Sequence, residues 1–215
     1  MKKILATFLI GFTLSISLAQ GQDNESENPL QSGSKALQFK ISNNFNLSSF
    51  AGSTISYKRH VSEYRAHRIG VKLNNKFSMR DHTNNDINSD NSRLELNMGM
   101  EYTWMNYTNP DSNIKFYYGY GPGIDLGYTW STADFVSQER TSQSSTFGIS
   151  GIGYAGVEWF FQSSMSLHAE YLATVRVDHY RSKNNAETNV VRNKVNNTEF
   201  QLGGNGVRFG LSVYF

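Results

Sequence analysis

Along most of this chain, apolar and polar residues change places at every second position. Successive side chains of a β-strand point to opposite sides, so such a run has one apolar face and one polar face. The clearest case is Arg93 to Tyr107. There Leu94, Leu96, Met98, Met100, Tyr102 and Trp104 alternate with Arg93, Glu95, Asn97, Gly99, Glu101 and Thr103. A helix would scatter those charges around its circumference, so the pattern predicts a strand. Ala36 to Leu47 opposes Leu37, Phe39 and Ile41 to Gln38, Lys40 and Ser42, and Ser53 to His60 follows with Ile55 and Tyr57 on the apolar side. His67 to Met79 sets Ile69, Val71, Leu73, Phe77 and Met79 against Gly70, Lys72, Asn74, Lys76 and Ser78. Further strands are predicted over Ile114–Trp130, Thr146–Phe161 and Met165–Asp178, and a last one up to Phe215.

Two irregularities are expected. Pro122 falls on the apolar parity of the fifth strand and has no N–H to donate, which predicts a bulge or local break. In the last strand Phe200 and Leu202 have the opposite parity to Val207 onward, so Gly203 to Gly206 should hold a bulge that resets the phase. Brief turns near Asn109–Pro110–Asp111 and Gln162–Ser163–Ser164 contrast with polar stretches read as loops: Arg80–Ser92, Ser131–Ser145 and His179–Asn197.

The count is eight, and the segments run to about 10–16 residues, longer than the soluble mode of about 5–6 and enough for the roughly 9–11 that cross a bilayer when tilted. The pattern therefore predicts an all-β, eight-stranded antiparallel up-and-down transmembrane β-barrel over residues 36–215, with both ends on one side of the membrane. Its apolar parity would face lipid. Aromatic placement agrees: Tyr102, Trp104, Trp159, Phe161 and Phe215 gather at one end of their strands, Phe77, Tyr128 and Trp130 at the other, as two membrane interfaces favour. A lipocalin-like soluble barrel, the competing fold, would bury the apolar parity and show no such end-loading.

Residues 1–19 have the build of a secretory signal peptide. Lys2 and Lys3 precede an apolar core, Ile4 to Ile16, and Ser17-Leu18-Ala19 offers small residues for cleavage before Gln20. Residues 20–35 are polar and aperiodic and read as a flexible periplasmic lead-in. Removing Lys2 and Lys3 from the 20 Lys and Arg leaves 18 against 18 Asp and Glu, so no basic excess draws nucleic acid. There is no cysteine and hence no disulfide framework. A mean hydropathy of −0.50 argues against membrane helices but not against a barrel, whose strands are only half apolar.

With the apolar parity outward, the lumen receives Lys40, Lys58, Lys72, Lys76, Arg93, Lys115, Arg176 and Arg208 beside Glu95, Glu101, Asp125, Glu158, Glu170 and Asp178. Eight strands enclose room for little more than side chains, so these charges must pair. Three groups of residues offer candidate chemistry. Ser166, His168 and Glu170 share one face of a strand, but residues two apart run parallel, about 6.5–7 Å between Cα atoms, and do not converge as a nucleophilic triad requires. Asp86, Asn88 and Asp90 resemble the start of a calcium loop, yet Asn91 replaces the glycine and Asn97 the final glutamate. Asp81–His82 and Asp178–His179 are weak metal pairs, and no cofactor is expected. Arg181, Lys183, Arg192 and Lys194 make the last loop basic, which reads first as a solvated loop and, as the sharper alternative, as a contact for lipopolysaccharide phosphates.

The closing segment, Gly206 to Phe215, puts Arg208, Gly210, Val213 and Phe215 in the slots of the signal that the outer-membrane barrel-insertion machinery reads. With that signal and the strand pattern, residues 36–215 resemble the small eight-stranded outer-membrane barrels, the group of OmpX and the OmpA transmembrane domain. The resemblance implies a Gram-negative outer-membrane location, contact with lipid and lipopolysaccharide, a monomer, and a structural or interaction role through the outer loops toward an envelope or extracellular partner. It rests on architecture and not on a catalytic motif. A small porin-like channel is the alternative, and a lipid A-modifying enzyme the third class, although the His-x-Ser order of the deacylases is absent.

Overall fold

Backbone pairing carries out the alternation almost segment by segment. The computed structural model describes residues 30–46, 51–84, 87–108, 111–135, 138–186 and 193–215. Its strands are β1 (Lys35–Asn46), β2 (Ala51–Ser62), β3 (Arg65–Asn84), β4 (Ile87–Tyr107), β5 (Ile114–Phe135), β6 (Gln138–Gln162), β7 (Met165–Ala186) and β8 (Asn193–Tyr214). Each pairs antiparallel with the next, and β1 pairs with β8 from Ala36↔Tyr214 to Ser42↔Arg208, so the sheet closes on itself. Closure removes the edges that would leave backbone groups unpaired in hydrocarbon.

The strands are longer than the alternation suggested. β3 and β4 continue through most of Arg80–Ser92, with Asp81 paired to Asp90 and Asn84 to Ile87. β5 and β6 pair through Ser131–Ser145 as far as Phe135↔Gln138, and β7 and β8 as far as Asn184↔Asn193. The three stretches expected as loops are thus largely hairpin extensions. Their Asn, Ser, Thr and Asp residues give no alternating sequence pattern, yet a ladder of N–H and C=O groups needs none. At the opposite end, Glu63–Tyr64 and Ser163–Ser164 make tight turns.

Both irregularities are present. β4 and β5 pair at Glu101↔Gly123 and again at Trp104↔Tyr120, with the ladder interrupted between them around Pro122 but no register change, while β5–β6 pairing continues through Pro122↔Gly151. This is a local break and not a bulge. A Cβ on neighbouring Gly121 would strike the Tyr102 carbonyl oxygen, so a side chain there has no room. In β8 the pairing with β7 shifts by one residue between Tyr171↔Val207 and Ala173↔Gly204. Gly206 sits there at φ +79°, a left-handed conformation that glycine takes without a Cβ clash. Leu202 and Val207, of opposite parity in sequence, consequently both point outward.

Residues 1–29 lie outside the described part, so the expected signal peptide and most of the expected lead-in do too. Residues 30–34, read as flexible, are instead tied down. Leu30 is fully buried, Gly33 N–H donates to the His60 carbonyl at 2.9 Å, and His60 N–H donates to that of Ser34 at 2.8 Å.

Candidate functional site in the barrel interior

The polarity of the wall is the reverse of a soluble barrel's. The largest fully buried side chains are Arg68, Lys40 and Lys58, whereas Leu96, Met98, Met100, Ile124, Leu126 and Leu167 are exposed. Water-soluble proteins almost never bury Lys and Arg completely, and rarely expose so continuous an apolar belt. Against hydrocarbon that belt is the stable surface, and the charges retreat to the one compartment where they meet partners.

Inside, the side chains form layers. Nearest the tight-turn end, Glu158 of β6 accepts from Lys58 of β2 at 2.9 Å, from Tyr107 and Tyr214 hydroxyls at 2.8 Å each, from Ser166 at 2.6 Å and from Ser212 at 3.2 Å. Lys58 also bonds the Tyr107 and Tyr214 hydroxyls and lies over the Tyr214 ring, 4.7 Å from its centroid. Every member of this layer is buried.

The next layer ties distant strands together across the lumen. Lys40 of β1 bridges Glu101 of β4 at 3.0 Å and Glu170 of β7 at 3.1 Å. Arg68 of β3 donates to the second Glu170 oxygen at 2.8 Å and stacks on the Tyr154 ring, 4.4 Å from its centroid. Lys72 of β3 and Arg208 of β8 approach the second Glu101 oxygen, at 3.1 and 3.6 Å. Toward the hairpin end the lumen becomes partly water-accessible, and Arg176 pairs with Asp178 at 2.7 Å and Asp125 at 3.3 Å. Buried charges in such a site are tolerated when opposite partners stand at hydrogen-bond range.

Of the charges expected in the lumen, Lys40, Lys58, Glu101, Lys115, Glu158, Glu170 and Arg208 are buried there, and Lys72, Asp125, Arg176 and Asp178 line its wetter half. Arg93 and Glu95 are not part of this network. They pair with each other at 3.4 Å, with the Arg93 side chain 59% exposed, because β3–β5 carry that level of the strand into solvent. The side chain of Lys76 lies outside the described residues.

Ser166, His168 and Glu170 are all buried on one face and do not converge: Ser166 gives its hydrogen bond to Glu158, His168 shares one with Ser212, and Glu170 holds Lys40 and Arg68. Asp178 turns inward to Arg176, whereas His179 meets Thr198 at 3.2 Å. The side chains of Asp81, His82, Asp86, Asn88 and Asp90 lie outside the described part. Arg181, Lys183 and Lys194 are exposed, and Arg192 is undescribed. Among the aromatic residues, Trp104, Tyr128, Trp159, Phe161 and Phe215 point outward and Tyr102 and Trp130 are half-buried, while the Phe77 side chain is undescribed. In the last strand Gly210 and Arg208 face inward, and Val213 and Phe215 outward.

Arg68 and the inward tyrosines Tyr107, Tyr117, Tyr154 and Tyr214 were missed. Arg68 shares parity with Gly70 and Lys72, so alternation could have found it. The tyrosines share parity with polar neighbours, but aromatic residues in a membrane barrel are habitually assigned to its lipid face. Here the hydroxyls of Tyr107, Tyr117 and Tyr214 serve the interior carboxylates, and that of Tyr154 donates to Thr103 at 3.2 Å.

A closed antiparallel sheet of eight strands, apolar outside and ionic within, is a β-barrel of the outer-membrane type. No family profile and no curated protein sequence matches this chain. Among solved structures it is similar to a major outer membrane protein from Thermus thermophilus (10% identity, TM-score 0.43, covering 86% of this chain and 100% of that one). It is also similar to CarO of Acinetobacter baumannii (9%, 0.37, 88% and 100%) and to Ail, the attachment invasion locus protein of Yersinia pestis (13%, 0.28, 86% and 100%). The assignment of the barrel rests on its own closed ladder and its own polarity.

Proposed function

We propose that this protein is a structural or interaction barrel of a Gram-negative outer membrane, presenting its long hairpin ends to the outside and closed to solutes by its ionic interior. Export through residues 1–19, and assembly through the Arg208, Gly210, Val213 and Phe215 pattern read by the insertion machinery, belong to the same reading. So do a monomeric state, contact of the exposed Arg181, Lys183 and Lys194 with lipopolysaccharide phosphates, and an envelope or extracellular protein partner for the hairpin ends.

The observation that carries the closed lumen is the buried pair of layers around Glu158 and Glu101–Glu170, which draws side chains from all eight strands into mutual contact. Opening a path would strip partners from several buried ions at once, each at several kcal/mol. Purified protein inserted in planar bilayers will therefore give no steady unitary conductance. A stable single-channel step in the wild-type protein would overturn the closed lumen and favour the channel reading, which the partly exposed Lys72, Asp125 and Arg176 otherwise support only as far as the central layer.

A further inference from the structure

The central layer is unbalanced. Four cations, Lys40, Arg68, Lys72 and Arg208, share two carboxylates, Glu101 and Glu170. The layers on either side offset this only in part: toward the tight turns Lys58 matches Glu158, and toward the hairpin ends Asp125 and Asp178 exceed Arg176 by a single negative charge. The excess also coincides with unused donors. Arg68 is 1% exposed, yet its Nε and Nη2 have no hydrogen-bond partner, because the single bond to Glu170 uses Nη1 and the ring of Tyr154 covers a face and not an edge. Arg208 is 9% exposed, and its Nη1 stands 3.6 Å from Glu101 Oε2, beyond hydrogen-bond reach, with neither atom otherwise hydrogen-bonded. Buried guanidinium N–H groups are normally satisfied, and an uncompensated buried positive charge is costly in a lumen walled by hydrocarbon.

We propose that this layer is a binding site for a small inorganic anion, held by the free N–H edges of Arg68 and Arg208 with Lys72 at its entrance. The side chain of Lys72 is 23% exposed and that of Arg208 10%, so the approach is from the hairpin end, whose partly wet lumen leads down to them. The anion supplies the negative charge that the two carboxylates do not, and accepts the hydrogen bonds that the strand geometry leaves unmade. The site neither needs nor creates a through passage, so it stands apart from the question of conductance.

The probe is chloride, followed by 35Cl line broadening with the folded protein in detergent, and by urea unfolding at fixed ionic strength with chloride exchanged for gluconate. Wild-type protein should broaden the chloride signal saturably, with competition by bromide. Its folded-to-unfolded ratio should rise about 100-fold when chloride stands about 100-fold above its dissociation constant. Arg208→Gln and Lys72→Gln should each weaken the effect about tenfold or more, and Arg93→Gln, at the solvent-exposed rim, should leave it unchanged. Lys72→Gln, at a partly exposed position, serves if Arg208→Gln does not reach the heat-modifiable folded form. The proposal is overturned if wild-type broadening is unsaturable, if folded Lys72→Gln matches wild type, or if Arg93→Gln loses as much as Arg208→Gln.

Discussion

Glu158 accepts hydrogen bonds from five side chains, and one of them, Lys58, has no other carboxylate within ion-pair range among the described residues. Glu158→Gln keeps the volume but leaves the Lys58 ammonium buried against neutral groups, so unfolding in lipid vesicles, followed by tryptophan fluorescence in urea, will show a loss of about 3–5 kcal/mol. The same change at Glu95, whose partner Arg93 is largely in water, will alter stability by about 0–1 kcal/mol. Two glutamates of one chain, each beside a cation, thus differ several-fold in consequence because only one has been taken out of solvent. Parity put both on the inward face. Depth along the strand separates them, and depth is set by where the membrane stops.

Among the irregularities of the ladders, the break in β5 and the bulge in β8 were legible in the sequence, whereas the register shifts at Ile41/Asn46, His60/Ser62 and Phe160/Gln162 were not. Proline cannot donate, and a reversal of apolar parity between Leu202 and Val207 demands an extra residue. Gly206→Val forces a branched residue into the left-handed region and will cost about 1–2 kcal/mol, with the heat-modifiable fold retained on gels. On the lipid face of β4, Met98→Arg places a charge in the apolar belt and will destabilise by about 2–4 kcal/mol in the same vesicle assay. The strand ends were not legible. Alternation fades where the sequence turns to runs of Asn, Ser and Thr, so the strand signal stops there while the ladders run on to Asn84, Phe135 and Ala186.

For the molecule as a whole, the closed sheet with its outward apolar belt fixes opposite fates for its two ends. The chain has no cysteine, so single substitutions report cleanly. Gln143→Cys, exposed on a β6 extension, will react with a membrane-impermeant maleimide in intact cells, whereas Ser163→Cys, in the β6–β7 turn, will react only after the envelope is permeabilised. Labelling of both positions, or of Ser163→Cys alone, in intact cells would contradict the proposed orientation. The membrane fraction should also show faster gel migration before boiling than after, since a barrel resists unfolding in detergent until heated.

The order of apolar and polar positions determined the strand count, the inside-out polarity, the site of the β8 bulge and the break at Pro122, because a strand's two faces are written at a period of two and the membrane rewards only one assignment of them. Tertiary structure decided which charges meet. Lys40 finds Glu101 and Glu170 across 61 and 130 residues of sequence, and Arg68 finds Glu170 across 102. Those meetings follow from the register of eight hydrogen-bonded pairings closed in a ring, a property no single segment carries. For the same reason the surplus of guanidinium groups in the central layer emerges only when all the strands are in place.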